Sequence, residues 1–273
     1  MRNLVIGDVH GSAKALQQVL ELCNFDVTKD RLISIGDIAD GWYEVSECVD
    51  ILLDIQKNSN EENKPIFIRG NHDVWVYDWF KHGLTPSLWT RQGGEATLSS
   101  YVRTGKLEDE NHKNFWFNQK DWYIDDKNNL FIHAGWDYIT KKVAWPIDLT
   151  PLELFELQAS MWYGDTVGIG SIAKSCHWDR DIWYGSQSGA VKNGKTGEPT
   201  GFRPLKMWNQ VFIGHTALST KDGSKPQPKH NINLWNVDTG CGWSGCLTIM
   251  DVDTHEYWQS DLCKDLYPDV TGR

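Results

Sequence analysis

Five short polar clusters each close an apolar run: Gly7-Asp8-Val9-His10-Gly11, Gly36-Asp37-Ile38-Ala39-Asp40, Gly70-Asn71-His72-Asp73, His133-Ala134-Gly135 and Gly214-His215-Thr216. Between them they offer carboxylates, imidazoles and an amide, with no thiolate, a donor set that suits Mn, Fe or Zn better than a soft metal. Each member has a plainer reading. Asp8 or Asp37 alone would serve as a helix N-cap after a strand, and Asp73 as the cap of the helix that follows it. His10, His133 or His215 alone would be a satisfied core or surface histidine. Together, each at the end of a strand-like run, they point to metal binding. His82, His112, His177, His230 and His255 keep the structural reading.

The elements that must carry these clusters follow from periodicity. Residues 3–6, 31–37 and 65–71 read as strands. Between them 12–23 and 43–56 read as amphipathic helices, the first with Ser12 as its N-cap. That alternation predicts a parallel sheet with crossover helices, and in such sheets ligands bind beyond the carboxyl ends of the strands. Further on, 72–82, 94–103, 109–118 and 150–163 read as helices, the last entered through Thr150-Pro151. Residues 128–135 and 208–215 read as strands. The alternating runs 231–240, 246–253 and 255–261 predict an antiparallel closing sheet. The Gly-, Ser- and Lys-rich stretch 185–204 predicts a flexible loop inserted within a single domain spanning 1–273.

In this order the clusters resemble the calcineurin-like metallophosphoesterase superfamily, with its GDxHG, GDxxD, GNHD, lone strand-end His and late GH. The final GHT and the VDTGC and GCLT runs (residues 237–241 and 245–248) resemble its phosphoprotein phosphatase branch. That branch holds bacterial and phage-type Ser/Thr phosphatases and symmetrical dinucleoside tetraphosphatases. The resemblance implies an α/β fold, a four-layer α/β/β/α sandwich with mixed sheets and the active site at the strand C-terminal ends. It implies two divalent metal ions, Mn first, with Fe, Zn, Ni or Co as alternatives. Asp8 and His10 would hold one ion, Asp37 would bridge both, and Asn71, His133 and His215 would complete the second. His72 would protonate the leaving oxygen, held by Asp40.

The chemistry is consistent with those roles. Phosphate-ester hydrolysis needs charge neutralisation at the phosphoryl oxygens, a nucleophile at neutral pH and help for the leaving group. Two divalent ions roughly 3.5–4 Å apart supply the first two needs, by clamping the substrate and acidifying a bridging water. An imidazole, with its near-neutral pKa, supplies the third. One departure concerns the phosphate clamp. Eukaryotic relatives follow the second motif with an Arg near the phosphate, whereas Gly41 and Trp42 follow Asp40 here. Arg180 is the candidate replacement, since its fork suits phosphoryl oxygens; a salt bridge to Asp165, Asp179 or Asp181 is the structural alternative. Arg69 abuts the site too, or packs under the loop against a carboxylate. His-Ala-Gly in place of the usual His-Gly-Gly adds only a methyl.

Composition sets the bounds. The chain of 273 residues has 27 Lys+Arg against 37 Asp+Glu, a net charge of −10, so its field repels nucleic acid. No run approaches the roughly 18–20 apolar residues of a membrane span, and the apolar run at the amino terminus is too short for a signal peptide. The six scattered cysteines read as reduced thiols of a cytoplasmic protein. Trp42, Trp75, Trp136, Trp178, Trp183 and Trp243 lie in or beside the clusters, as a base-stacking rim or as packing. The resemblance implies a phosphorylated substrate as partner: a phosphoprotein, a nucleotide or a small phosphoester. The leading reading is a phosphomonoesterase of the phosphoserine/threonine type acting through a metal-bridging hydroxide. A symmetrical dinucleoside tetraphosphatase or other phosphodiester or phosphoanhydride hydrolase is the alternative. A catalytically silent scaffold is a third reading, which the intact set of ligand positions opposes.

Overall fold

In β1 (Asn3–Ile6) successive side chains point to opposite faces, as in any strand. Leu4 and Ile6 enter one buried cluster with helix residues Leu16, Val19 and Val49. Val5 enters a second, between two sheets, with Ile33, Phe131, Phe212 and Met250. The same division recurs along the computed structural model, which describes residues 1–136, 150–162, 171–188, 190–192, 199–201 and 206–273.

After β1 come β2 (Arg31–Ser34), β3 (Ile66–Phe67), β4 (Trp122–Ile124), β5 (Leu130–Ile132), β6 (Ala190–Lys192) and β7 (Pro199–Gly201). The later strands are β8 (Val211–Ile213), β9 (Lys229–Asn231), β10 (Leu234–Asn236), β11 (Thr248–Asp251) and β12 (Tyr257–Gln259). One five-stranded sheet runs β12-β11-β1-β2-β3 and another β4-β5-β8-β10-β9. Within the first, β1, β2 and β3 are parallel and β11 is antiparallel to β1. Within the second, β5, β8 and β10 are parallel and the edge strands β4 and β9 are antiparallel. The sheets face each other across a core in which Phe131 and Phe212 of the second, ring centroids 5.1 Å apart, meet Val5, Ile33 and Met250 of the first. Helices α1 (Ala13–Leu22) and α2 (Val45–Asn58) cover the first sheet. Helices Pro151–Ser160 and Asp181–Ser188 cover the second through Phe155, Ala159 and Ile182. The result is the helix/sheet/sheet/helix arrangement that the resemblance implies.

Two local expectations are corrected. The runs 231–240, 246–253 and 255–261 do not form one closing sheet. β10 joins β8 in the second sheet, while β11 and β12 extend the first beyond β1. Ile249 faces the helices and Met250 the intersheet core, and an apolar run buried on both faces does not name the edge it joins. Ser12 stands at the N-cap of α1, but its hydroxyl lies 3.7 Å from Cys263 Sγ instead of capping an amide. Of the stretch 185–204, residues 185–188 finish a helix and β6 and β7 pair as an antiparallel ribbon. Residues 189, 193–198 and 202–205 lie outside the described residues, and with them the rest of the expected loop. Thr150 does cap its helix, accepting from the Glu153 amide (3.3 Å) while Glu153 reaches back to the Thr150 amide (2.7 Å). All six cysteines are free and buried. Among the described residues no helix is long and apolar enough to cross a membrane.

Candidate metal centre

The clusters follow the C-terminal ends of the parallel strands β1, β2, β3, β5 and β8, which open on one hollow. The backbone there is unusual. His10, Asp37, Asp40 and His215 have φ of 49°, 50°, 71° and 65°, a left-handed conformation that costs a non-glycine residue energy and gathers at functional sites. The motif glycines make room for one another's neighbours. A Cβ on Gly70 would stand 2.1 Å from Asp37 Oδ1, and one on Gly214 would stand 2.1 Å from Asp8 Oδ1. Each glycine therefore precedes one candidate ligand and receives the carboxylate of another.

Asp8, His10 and Asp37 bring ligand atoms within 4.8 Å of one another, and so do Asp37, His133 and His215. Asp37 belongs to both groups. Its Oδ2 lies 3.6 Å from His10 Nε2 and 3.5 Å from His133 Nε2. Asn71 Oδ1 lies 2.8 Å from His215 Nδ1 and 3.2 Å from His133 Nε2. The other nitrogen of each ring faces a backbone carbonyl: His10 Nδ1 to Ala39 (2.9 Å), His133 Nδ1 to Ile35 (2.9 Å) and His215 Nε2 to Trp178 (3.1 Å). A carbonyl only accepts, so each imidazole donates outward and turns its lone pair inward, that of His10 toward Arg273 Nη1 at 3.2 Å. Burial, with Arg273 nearby, pushes His10 down to about 3, and burial with His133 holds His215 well below the usual histidine range. Burial opposes ionisation of Asp37, but His133 and His72 outweigh it and keep the carboxylate well below its ordinary value. Burial would lower His133, but the Asp37 carboxylate outweighs it and raises that ring above its ordinary value. Imidazoles, an amide oxygen and carboxylates, one of them shared, fit two divalent ions. Ions bound there would neutralise phosphoryl charge and activate water.

His72 stands apart from that donor set. Its Nδ1 lies 2.5 Å from Asp40 Oδ2. Asp40 also accepts from Trp89 Nε1 (2.9 Å) and Thr97 Oγ1 (2.6 Å), so its orientation is fixed. The amide of His72 donates to Asp37 Oδ1 (2.9 Å). His72 Nε2 is buried and without a hydrogen-bond partner among the described residues; once the His72–Asp40 pair carries a further proton, it is a donor without an acceptor. Burial, against the Thr97 and Trp89 hydrogen bonds, pushes Asp40 up to about 7, while burial and Arg273 hold His72 low. A proton placed on this pair can thus reside on Nε2, pointing at whatever binds.

Asp73 is more than a helix cap. In α3 (Asn71–His82) it is the third residue. Its carboxylate accepts from the amides of Gly70 (3.0 Å), Ile38 (2.9 Å) and Ala39 (3.1 Å), tying the second and third clusters together.

Of the residues expected at the site, Asp8, His10, Asn71, Arg180 and His215 line a cavity of about 450 Å³. The guanidinium of Arg180 reaches the His215 carbonyl at 3.5 Å. The structure does not bring Arg69 there. Its Nη2 donates to the carbonyls of Trp116 (3.1 Å) and Phe117 (3.3 Å), and its Nη1 lies 3.6 Å from Asp121. Expected as a phosphate ligand, Arg69 is instead a packed residue on a carboxylate, its other reading. Trp42, Trp136 and Trp183 are core, whereas Trp75, Trp178 and Trp243 wall the cavity. Sequence reasoning missed Asp238 and Arg273, which also line it. The VDTG run held a signal for Asp238; nothing marked Arg273.

With the geometry of a two-ion phosphohydrolase site in place, the family is plain: the chain belongs to the calcineurin-like phosphoesterases, whose family model matches residues 1–167. It is a metal-dependent phosphoester hydrolase of a dinuclear-metal family. A Coxiella burnetii protein named "Bis(5'-nucleosyl)-tetraphosphatase, symmetrical" is 27% identical, over 94% of this chain and 92% of its own length. A protein of the same name from Mannheimia succiniciproducens is 23% identical over 97% and 98%. Two solved structures share the fold. A putative diadenosine tetraphosphatase has a TM-score of 0.53 at 15% identity, covering 94% of this chain and 92% of that one. The cold-active protein tyrosine phosphatase of a psychrophilic Shewanella species has a TM-score of 0.52 at 14% identity, covering 95% and 80%.

Proposed function

We propose that this hydrolase uses two ions to cleave a phosphoanhydride of the dinucleoside tetraphosphate class. The observation that carries the two-ion reading is Asp37, shared between two groups of ligand atoms. The substrate class is supported by relatives named as symmetrical tetraphosphatases that match nearly end to end. It is also supported by Trp243, 51% exposed on the cavity wall, an aromatic ring that carries the Arg273 guanidinium on one face and can meet a base. In this reading Asp8 and His10 would hold one ion, Asn71, His133 and His215 would hold the other, and Asp37 would serve both, with Mn the first choice. Arg180 meets phosphate oxygens. His72 gives its Nε2 proton to the leaving oxygen, and Asp40 holds the ring from behind. Six free thiols suit a reducing, cytoplasmic setting.

The second reading is a phosphomonoesterase of the phosphoserine/threonine type. The Asp40–His72 pair favours it, because an alkoxide leaving group needs a proton far more than a nucleotide phosphate does. One panel separates the two. Metal-depleted protein reloaded with Mn²⁺ is offered diadenosine tetraphosphate, a phosphopeptide, para-nitrophenyl phosphate and its bis-ester. The expected result is fastest turnover of diadenosine tetraphosphate, with water, to two ADP. A dominant phosphopeptide rate replaces the first reading by the second, and no turnover of any member with both ions bound overturns both.

A further inference from the structure

The cavity holds a cation that the site described so far does not use. Arg273 lies 263 residues from His10 in sequence, yet its Nη1 is 3.2 Å from His10 Nε2. Because His10 Nδ1 donates to the Ala39 carbonyl, Nε2 is the accepting nitrogen. The backbone around Arg273 is pinned. Its amide donates to the Gly242 carbonyl (2.8 Å), and a Cβ on Gly272 would stand only 2.5 Å from that same oxygen. Just before it, Tyr267 stacks on Trp42 with centroids 4.8 Å apart.

The side chain crosses a gap left by two glycines. Its Cγ is 3.6 Å from where a Cβ on Gly41 would be, and 3.1 Å from where one on Gly93 would be. The guanidinium then lies over the Trp243 ring, 5.3 Å from the centroid. Its Nε is buried without a hydrogen-bond partner among the described residues. A guanidinium is always charged and carries five donors. Here it touches a neutral ring nitrogen and an aromatic face, and its Nε donor is unused. Such a group is completed by an anion with several oxygens. The space beside Gly41, which follows Asp40, is where a phosphate-binding arginine was found wanting in the sequence.

We infer that Arg273 is a phosphate-binding residue of this centre, reaching from the far end of the sequence into the space that Gly41 leaves empty. The inference rests on the phosphohydrolase reading but not on which phosphoester is cleaved. Trp243 under the guanidinium sets its plane, and the unused Nε with one Nη forms the fork that meets two phosphate oxygens.

The test uses inorganic phosphate as the probe, titrated by calorimetry into the Mn²⁺-loaded protein of residues 1–273, so that no substrate is involved. Arg273→Ala is expected to weaken phosphate binding roughly 10- to 100-fold, the size of hydrogen bonds to a charged group, with metal content unchanged. Arg273→Lys is expected to fall between, since an ammonium keeps the charge and loses the fork. Free guanidinium ion added to the Ala variant is expected to restore part of the affinity. Unchanged phosphate affinity in folded Arg273→Ala overturns the inference. So does unchanged phosphate affinity with tighter Mn²⁺ binding, which would make Arg273 an occupant of the first ion's place. Failure of diadenosine tetraphosphate turnover leaves this titration untouched, so the two readings fail separately.

Discussion

Among the described residues, the donor atoms around Asp37 and those around Asp121 come equally close to one another, and the two clusters spend their donors differently. Asp37 with His133 and His215, and Asp121 with Cys176 and His177, each place ligand atoms within 4.8 Å of one another. At Asp121 the protein supplies its own cations: Lys174 Nζ at 2.5 Å and Arg69 at 3.6 Å. Both nitrogens of His177 are occupied, Nδ1 by the Lys174 amide (3.2 Å) and Nε2 by Asp121 (3.1 Å). Burial pushes the Cys176 thiol well above its usual range. At Asp37 the rings turn lone pairs inward, and the carboxylate contacts imidazoles and an amide. Closeness of donor atoms therefore does not define a metal site; unspent lone pairs and unneutralised charge do.

That contrast can be broken in three places. Asp37→Asn removes the shared carboxylate, and activity is expected to fall by more than roughly 100-fold, beyond what loss of a supporting contact costs. Metal analysis after dialysis should show ions lost from both positions; full retention would end the bridging role. His72→Asn is expected to keep its ions and to slow esters with poor leaving groups by about 10²- to 10⁴-fold, the range of general acid catalysis. Esters with good leaving groups should slow much less, and an equal loss on both removes the proton-donor role.

The smallest expected effect on activity is at the other cluster. Asp121→Asn should leave metal content and turnover unchanged while costing about 1.5–3 kcal/mol of stability, as for hydrogen bonds to a charged partner. A change in metal content would place that cluster among the metal sites after all. The pH dependence has a definite sign. Burial alone would raise Asp121, but His177 and Lys174 outweigh it and hold the carboxylate below its ordinary value. The folded state then binds the proton less readily than the unfolded chain. Its contribution is fully present above the unfolded value of about 4 and is lost as pH falls. Melting curves of the Asn variant should lack that acid-side loss.

The same contrast explains what the sequence made legible. Asp8, Asp37, Asn71, His133 and His215 sit where apolar runs stop, so local pattern placed them at strand ends, and parallel strands carry such ends to one edge. Patterns of that kind do not report distant partners. Arg69 looked like a site residue because it abuts Asn71, but its direction was decided by carbonyls of Trp116 and Phe117. Trp89 and Thr97, which fix Asp40, come from 49 and 57 residues away. Arg273 lies in a stretch with no motif at all. β11 was visible as a strand, while its place beside β1 depended on which core each face met.

The outward hydrogen bonds of His10, His133 and His215 all end on main-chain carbonyls. Catalytic histidines held by a carboxylate side chain can lose their orientation through one substitution at that partner. A carbonyl oxygen is present whatever residue occupies positions 39, 35 or 178. Tautomer choice in this centre is thereby independent of the side chains at those positions, which are left to packing, as Ile35 and Ala39 are in the core.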